Sequence, residues 1–258
     1  MKGFLAKSSY GAIYVVAHKP YRMPGDGLYQ PIQVGSGPDL GAGFVRDDTG
    51  ENIAARNANY CELTALYWVW KNTDGDFAGL AHYRRHFAGR KGLGRKWARV
   101  MTRAQLAEIW DGETILVPEA RKYRIETNWS QYAHAHHEVD LQVCRAVLGE
   151  MHPGHVGAFD TVMARTWGHR FNMFVMRRGD LEAYCGWLFG VLFEMEKRLD
   201  ISGYGANDAR VFGFVGERLL DVWLEAEGKA YREVPVMFME RENWLRKGGR
   251  FLLRKIRG

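Results

Sequence analysis

DFAGLAHYRRHF, residues 76–87, begins as a buried strand and changes character within one residue. Phe77, Ala78, Gly79, Leu80 and Ala81 form a short apolar run suited to a strand covered on both faces. His82, Tyr83, Arg84, Arg85 and His86 follow directly, so a core strand opens onto a dense polar cluster. Outward from this stretch, strand-like and helix-like segments alternate. AIYVVAHK (12–19) reads as a buried strand followed by a turn-rich loop, and ANYCELTALYWVWKN (58–72) as a helix with Leu63, Leu66, Tyr67 and Trp70 at helical spacing. RAQLAEIWDG reads as a helix, ETILVPEA as a strand and EVDLQVCRAVLGEM as a helix. FNMFVMRR (171–178) reads as a strand, and GDLEAYCGWLFGVLFEMEKRL as a long helix with an Asp near its cap. NDARVFGFVGERLLDVWLEAEG then reads as a helix and REVPVMFM as a last strand. The order predicts an α/β fold with a mostly parallel sheet flanked by helices and ligands at the carboxyl ends of its strands.

Composition sets the outer limits. With 258 residues, 47% of them hydrophobic, the chain can bury a sizeable core as one domain. Cys61, Cys144 and Cys185 are far apart and include no CxxC pair, which argues against a disulfide framework or a zinc ribbon and for a reducing compartment. Neither a signal peptide nor a membrane-spanning run is apparent, so the expected location is cytoplasmic.

The net charge of +6 is concentrated at one end: residues 241–258 hold seven Arg or Lys and one Glu. On a helical wheel Trp244, Leu245, Phe251, Leu252, Leu253 and Ile256 fall largely opposite Arg246, Lys247, Arg250, Arg254 and Arg257. The expected organisation is therefore a domain at 1–240 and a basic amphipathic tail at 241–258 suited to an anionic membrane surface, which would make the protein peripheral at the inner face of the cell membrane. A helix packed on its own domain is the alternative, and Gly248 and Gly249 weaken any helix there. Confinement of the charge to the tail disfavours a nucleic-acid partner.

At the mouth of the 77–81 strand, His82, Tyr83, Arg84 and Arg85 offer guanidinium forks matched to phosphate oxygens, with ring and hydroxyl groups for hydrogen bonds or base stacking. A bound diphosphate is the natural partner; a solvated surface loop is the plainer reading of the same residues.

RDDTGENIAARNANYCELTALYWVWKN, DFAGLAHYRRHF, NMFVMRRGDLEAYCGWLFGVLFEMEKRLD and RVFGFVGERLLDVWL together resemble the bacterial domain of unknown function 4422 family, whose members occur among capsular and exopolysaccharide biosynthesis proteins. The resemblance runs from IYVVAHKPY to about EVPV. It implies a single GT-A-like glycosyltransferase domain that uses a nucleotide-sugar donor, a UDP-sugar by expectation, and a saccharide or lipid-linked acceptor. A non-catalytic membrane-surface partner in polysaccharide assembly is the alternative.

Many GT-A enzymes hold a divalent metal with an Asp-x-Asp motif where this chain has AHYRR. Arg84 and Arg85 are therefore expected to replace the metal as the charge on the leaving diphosphate, so that no cofactor is required. Asp47 and Asp48 are the fallback ligands, and Mn or Mg is not excluded. His18 and Lys19, ending the first strand, join the donor-binding candidates, as do Asn52 and Asn172, the latter by a loose likeness to the sugar-pocket strand of some GT-A families. Tyr132, His136 and His137 are candidates for acceptor contact. Glu217 and Asp208 are the candidate catalytic bases, with a satisfied ion pair as the plainer reading.

Overall fold

The computed structural model describes residues 11–89 and 95–240. The basic tail expected at 241–258 lies outside the described residues. Strands β1 (Gly11–Ala17), β2 (Tyr29–Gln33) and β3 (Val45–Arg46) come first, followed by helices α1 (Asn57–Tyr60) and α2 (Leu63–Asn72) and strands β4 (Phe77–His82) and β5 (Arg85–Phe87). Next are α3 (Arg103–Ile109), β6 (Ile115–Pro118), β7 (Arg121–Lys122), α4 (Asn128–Ala133), α5 (Glu138–Met151) and α6 (Val156–Ala164). The described chain ends with β8 (Trp167–Gly168), β9 (Phe174–Arg177), α7 (Arg178–Arg198), α8 (Val211–Ala226), β10 (Tyr231–Val234) and β11 (Val236–Phe238).

The main sheet runs in the order β10-β6-β9-β4-β1-β2-β3. All of these strands point one way except β9, which is antiparallel to both β4 and β6. The sheet is thus largely parallel and flanked by helices, as its apolar strands predict. In β1, Ile13, Val15 and Ala17 enter one buried cluster while Val16 enters the other, so the strand is covered on both faces. The larger cluster packs α2, α5, α7 and α8 on one side of the sheet, and the smaller holds Leu106 of α3 and Phe87 of β5 on the other. At Gly79 a Cβ would lie 2.8 Å from the Phe174 carbonyl, so the close approach of β4 and β9 needs glycine there.

Three local features depart from the sequence reading, and each has a physical cause. The 58–72 helix is broken at Cys61, whose φ of 52° turns the chain between α1 and α2. REVPVMFM is two strands because Pro235 carries no N–H to continue a ladder: β10 pairs with β6, and β11 with β5. The turn-rich stretch after β1 contains β2, which pairs in parallel with β1. Among the described residues no helix is long and apolar enough to cross a membrane.

Candidate functional site

A cavity of about 650 Å³ opens at the carboxyl ends of the parallel strands. Strand ends, helix starts and the turns between them supply its walls. His18 follows β1 and Val34 follows β2; His82, Tyr83, Arg84 and Arg85 form the turn from β4 into β5. The α1–α2 junction contributes Asn57, Cys61 and Glu62, and the approach to antiparallel β9 contributes Arg170 and Phe171. Arg210, Phe214 and Glu217 come from the beginning of α8, and Arg121 from β7. Five arginines face two glutamates in this cleft, so its balance is cationic.

Backbone strain shapes the floor. Phe171 and Asn172 adopt left-handed φ values of 80° and 50°, which cost energy in residues with a Cβ and persist only where the surroundings enforce them. The kink carries the Phe171 carbonyl to His82, whose Nε2–H donates to it at 2.5 Å. Burial holds the His82 imidazole below its ordinary pKa, which favours this neutral donor form. The Arg85 guanidinium lies 4.3 Å over the Phe171 ring. Asn172 is buried, and its amide donates to Glu62 Oε1 at 2.8 Å and to the Gly213 carbonyl at 3.2 Å. Asn172 therefore reaches the cleft through Glu62.

The arginines differ in how they are held. Arg170 is buried and committed to the Tyr123 hydroxyl, the His169 carbonyl and Asn128. Arg210 is exposed, donates from Nε to Cys61 Sγ at 3.1 Å and packs 5.1 Å over the Phe214 ring. Arg84 and Lys19 flank the Tyr83 ring, at 5.1 and 5.3 Å, and both pair with Glu240. Burial, then the positive charges of Lys19, Arg84 and Arg210, keep His18 below its ordinary pKa. Glu217 carries no hydrogen bond or ion pair to any of the described residues. Burial first, and then the charge of Glu62, raise its pKa above the usual glutamate value.

The structure thus brings together His18, His82, Tyr83, Arg84, Arg85 and Glu217, with Lys19 beside them. Asn172 adjoins the cleft through its hydrogen bond to Glu62, and the remaining candidates lie elsewhere. The Asp47 carboxylate is buried and accepts from Thr64 Oγ1 at 2.5 Å; burial pushes its pKa up to about 6. Asp48 pairs with Arg46, and Asn52 caps a turn through the Ala54 amide; none of the three lines the cleft. Asp208 accepts from His136 Nδ1 at 3.0 Å and from Asn207, contacts that hold its pKa down. His136 stacks 4.3 Å from Phe214 and so sits behind the cleft wall, while His137 stacks on Tyr204. Tyr132 is buried, with its hydroxyl on Asp140. Glu62, Arg121, Arg170 and Arg210 were not among the sequence candidates; Glu62, Arg170 and Arg210 join the cleft through chain turns that periodicity does not register, and Arg121 through a strand of only two residues. Among the described residues no group of three or more His, Cys, Asp or Glu side chains is arranged to hold a metal ion.

Fold and cleft define an α/β protein with a cation-lined crevice at the carboxyl ends of a largely parallel sheet, the position at which such sheets bind ligands. The chain belongs to the family described as Domain of unknown function (DUF4422), which matches residues 12–228. Among solved structures it is similar to one titled as the apo structure of the bifunctional glycosyltransferase WbbM, with a TM-score of 0.82 and 27% identity, covering 90% of this chain. The chain spans 46% of the length of that neighbour. No curated protein matches it.

Proposed function

We propose that this protein is a glycosyltransferase that moves a sugar from a nucleotide-sugar donor, a UDP-sugar in the first instance, to a saccharide or lipid-linked acceptor in surface-polysaccharide assembly. The observation that carries the reading is the meeting of Arg84, Arg85 and Arg210 with the Glu217 carboxylate in one cleft at the strand ends. The similarity to a protein titled as a glycosyltransferase supports it.

In this reading the donor's diphosphate lies on Arg84 and Arg85, whose N–H groups offset the charge that develops as it departs. The acceptor oxygen forms a bond to the anomeric carbon, and the bond from that carbon to the phosphate oxygen breaks with its electron pair left on the diphosphate. The acceptor's hydroxyl proton passes to Glu217. Of the two candidate bases, Glu217 suits the task better: its pKa is raised, whereas hydrogen bonds hold that of Asp208 down. The arginines stand in for a divalent metal. Asp47 and Asp48, the alternative ligands, are engaged by Thr64 and Arg46 away from the cleft. Residues 241–258 would hold the protein on an anionic membrane that presents a lipid-linked acceptor.

Thermal denaturation of the full chain with a panel of nucleotides and nucleotide sugars tests the reading, because a ligand that binds only the folded state raises the midpoint. Stabilisation by a subset sharing one nucleotide, lost in Arg84→Ala and Arg85→Ala, is expected. A panel that leaves the midpoint unmoved throughout would sink the proposal.

A further inference from the structure

Glu240 holds the cationic rim of the cleft by both of its carboxylate oxygens. Oε2 lies 3.3 Å from Arg84 Nη1, and Oε1 lies 3.9 Å from Lys19 Nζ. Two oxygens of one anion, each turned to a different cation, is the arrangement a terminal phosphate oxygen pair would adopt between the same side chains.

The backbone that delivers Glu240 is fixed independently of these contacts. β11 pairs with β5 in the register Phe238↔Arg85, the Met239 amide donates to the Arg84 carbonyl at 2.9 Å, and Lys96 Nζ donates to the Phe238 and Met239 carbonyls at 2.5 and 3.2 Å. Phe238 lies edge-on to Phe171 on the same border of the cleft. The ribbon is anchored, while the Glu240 side chain is about half exposed and can rotate away with its backbone in place. An ion pair this exposed contributes little net stability, so giving it up costs little.

We propose that Lys19 and Arg84 form a phosphate subsite that Glu240 occupies as an internal counter-ion, and that an incoming donor diphosphate displaces the Glu240 carboxylate. This rests on the reading that the cleft binds a nucleoside diphosphate. Glu240 keeps the two cations oriented and mutually shielded until the ligand arrives. It also sets a threshold: a single weakly charged oxyanion competes poorly with it, and a doubly charged diphosphate competes well.

Calorimetric titration of the full chain with uridine diphosphate and with inorganic pyrophosphate, at low salt, tests the proposal. Glu240→Gln, which keeps the shape and removes the charge, is expected to bind both probes about two- to fivefold more tightly. The gain should vanish in the Arg84→Ala background, and Glu150→Gln, a carboxylate on α5 that pairs with Arg198, should bind as the parent does. Glu240→Gln binding equal to or weaker than the parent, with Arg84→Ala weakened, overturns the counter-ion and leaves the donor-site reading standing. Arg84→Ala binding both probes as the parent does, or a parent that binds neither, overturns the donor-site reading and the subsite with it.

Discussion

Two hollows of nearly equal size, about 650 and 600 Å³, lie at opposite ends of the same sheet, and their chemistry differs. The cleft at the carboxyl ends holds five arginines and two glutamates. The hollow at the amino ends is lined by Gly11, Gly27, Trp68, Asn72 and Phe77, with Asp74 and Arg103 as its charged residues. Strand direction explains the contrast. α2 and α8 begin at the cleft, with Glu62 and Arg210 as their caps, so the positive ends of both helix dipoles face it. The other hollow receives the last turn of α2, through Trp68, Asn72 and Thr73, and with it the negative end. Its arginine is already committed, with Arg103 Nη2 donating to the Gly11 and Gly27 carbonyls at 2.8 and 3.1 Å. Volume alone does not distinguish an anion site from a packing defect; chain direction and the balance of charge in the lining do.

The largest effect expected from this contrast falls on Glu217. Glu217→Gln keeps the size of the side chain but cannot take a proton, so the transfer rate should drop about 10²- to 10⁴-fold. Nucleotide affinity should be retained, because removing a negative charge does not weaken an anion site. Single-turnover transfer with a matched donor and acceptor measures the first, and calorimetry the second. A rate within threefold of the parent would remove Glu217 from the role of base.

Binding should separate the two hollows next. Arg84→Ala or Arg85→Ala is expected to weaken nucleoside diphosphate binding by about 1.5–3 kcal/mol, the usual size of a charge-assisted hydrogen bond. Arg103→Ala should lower the melting temperature, since two backbone carbonyls lose their donor, and leave that affinity unchanged. Affinity lost with Arg103 and kept without Arg84 and Arg85 would move the site to the other end of the sheet.

The cleft's best-defined wall was legible in the sequence because it is local. An apolar strand that stops at His82 and continues as Tyr-Arg-Arg places those side chains at a strand end whatever surrounds it, and Glu217 stands out as a carboxylate inside an apolar helix. What was not legible depends on turns. Glu62 enters only because Cys61 takes a left-handed φ and splits one apparent helix into two. Arg170 and Phe171 enter because β9 runs antiparallel, which sends its beginning to the cleft instead of its end. An apolar run such as FVM carries no sign of direction. Asp208 and Glu217 read as equals in one helix, yet Asp208 lies on a short turn before it and turns to His136, outside the cleft.

The pH dependence of transfer should carry the electrostatic difference. Glu217 acts as a base only when ionised, and burial with the neighbouring charge of Glu62 raises its pKa. The rate should therefore fall as pH drops through a value above the ordinary glutamate pKa of 4.5. Glu62→Gln removes one cause of the rise, so the acidic limb should move to lower pH while the plateau changes less. An acidic limb that stays in place in this variant would remove Glu62 from the electrostatics of the base.

The smallest effect should come from withdrawing metal. If the arginines carry the leaving charge, transfer in excess EDTA should stay within about twofold of the untreated rate, and added manganese or magnesium should change it little. Asp47 makes the same point through stability. Its pKa rises from 3.8 unfolded to about 6 folded, so the folded state keeps its proton longer and stability should decline as pH increases between about 4 and 6, by at most about 3 kcal/mol. Asp47→Asn should remove that decline, seen in urea unfolding at several pH values, and leave nucleotide affinity as it was. A structural carboxylate behaves in this way; a metal ligand would instead lose transfer on substitution. Activity abolished by EDTA, restored by manganese and lost in Asp47→Asn would put a cation at the edge of the cleft and reduce Arg84 and Arg85 to its helpers.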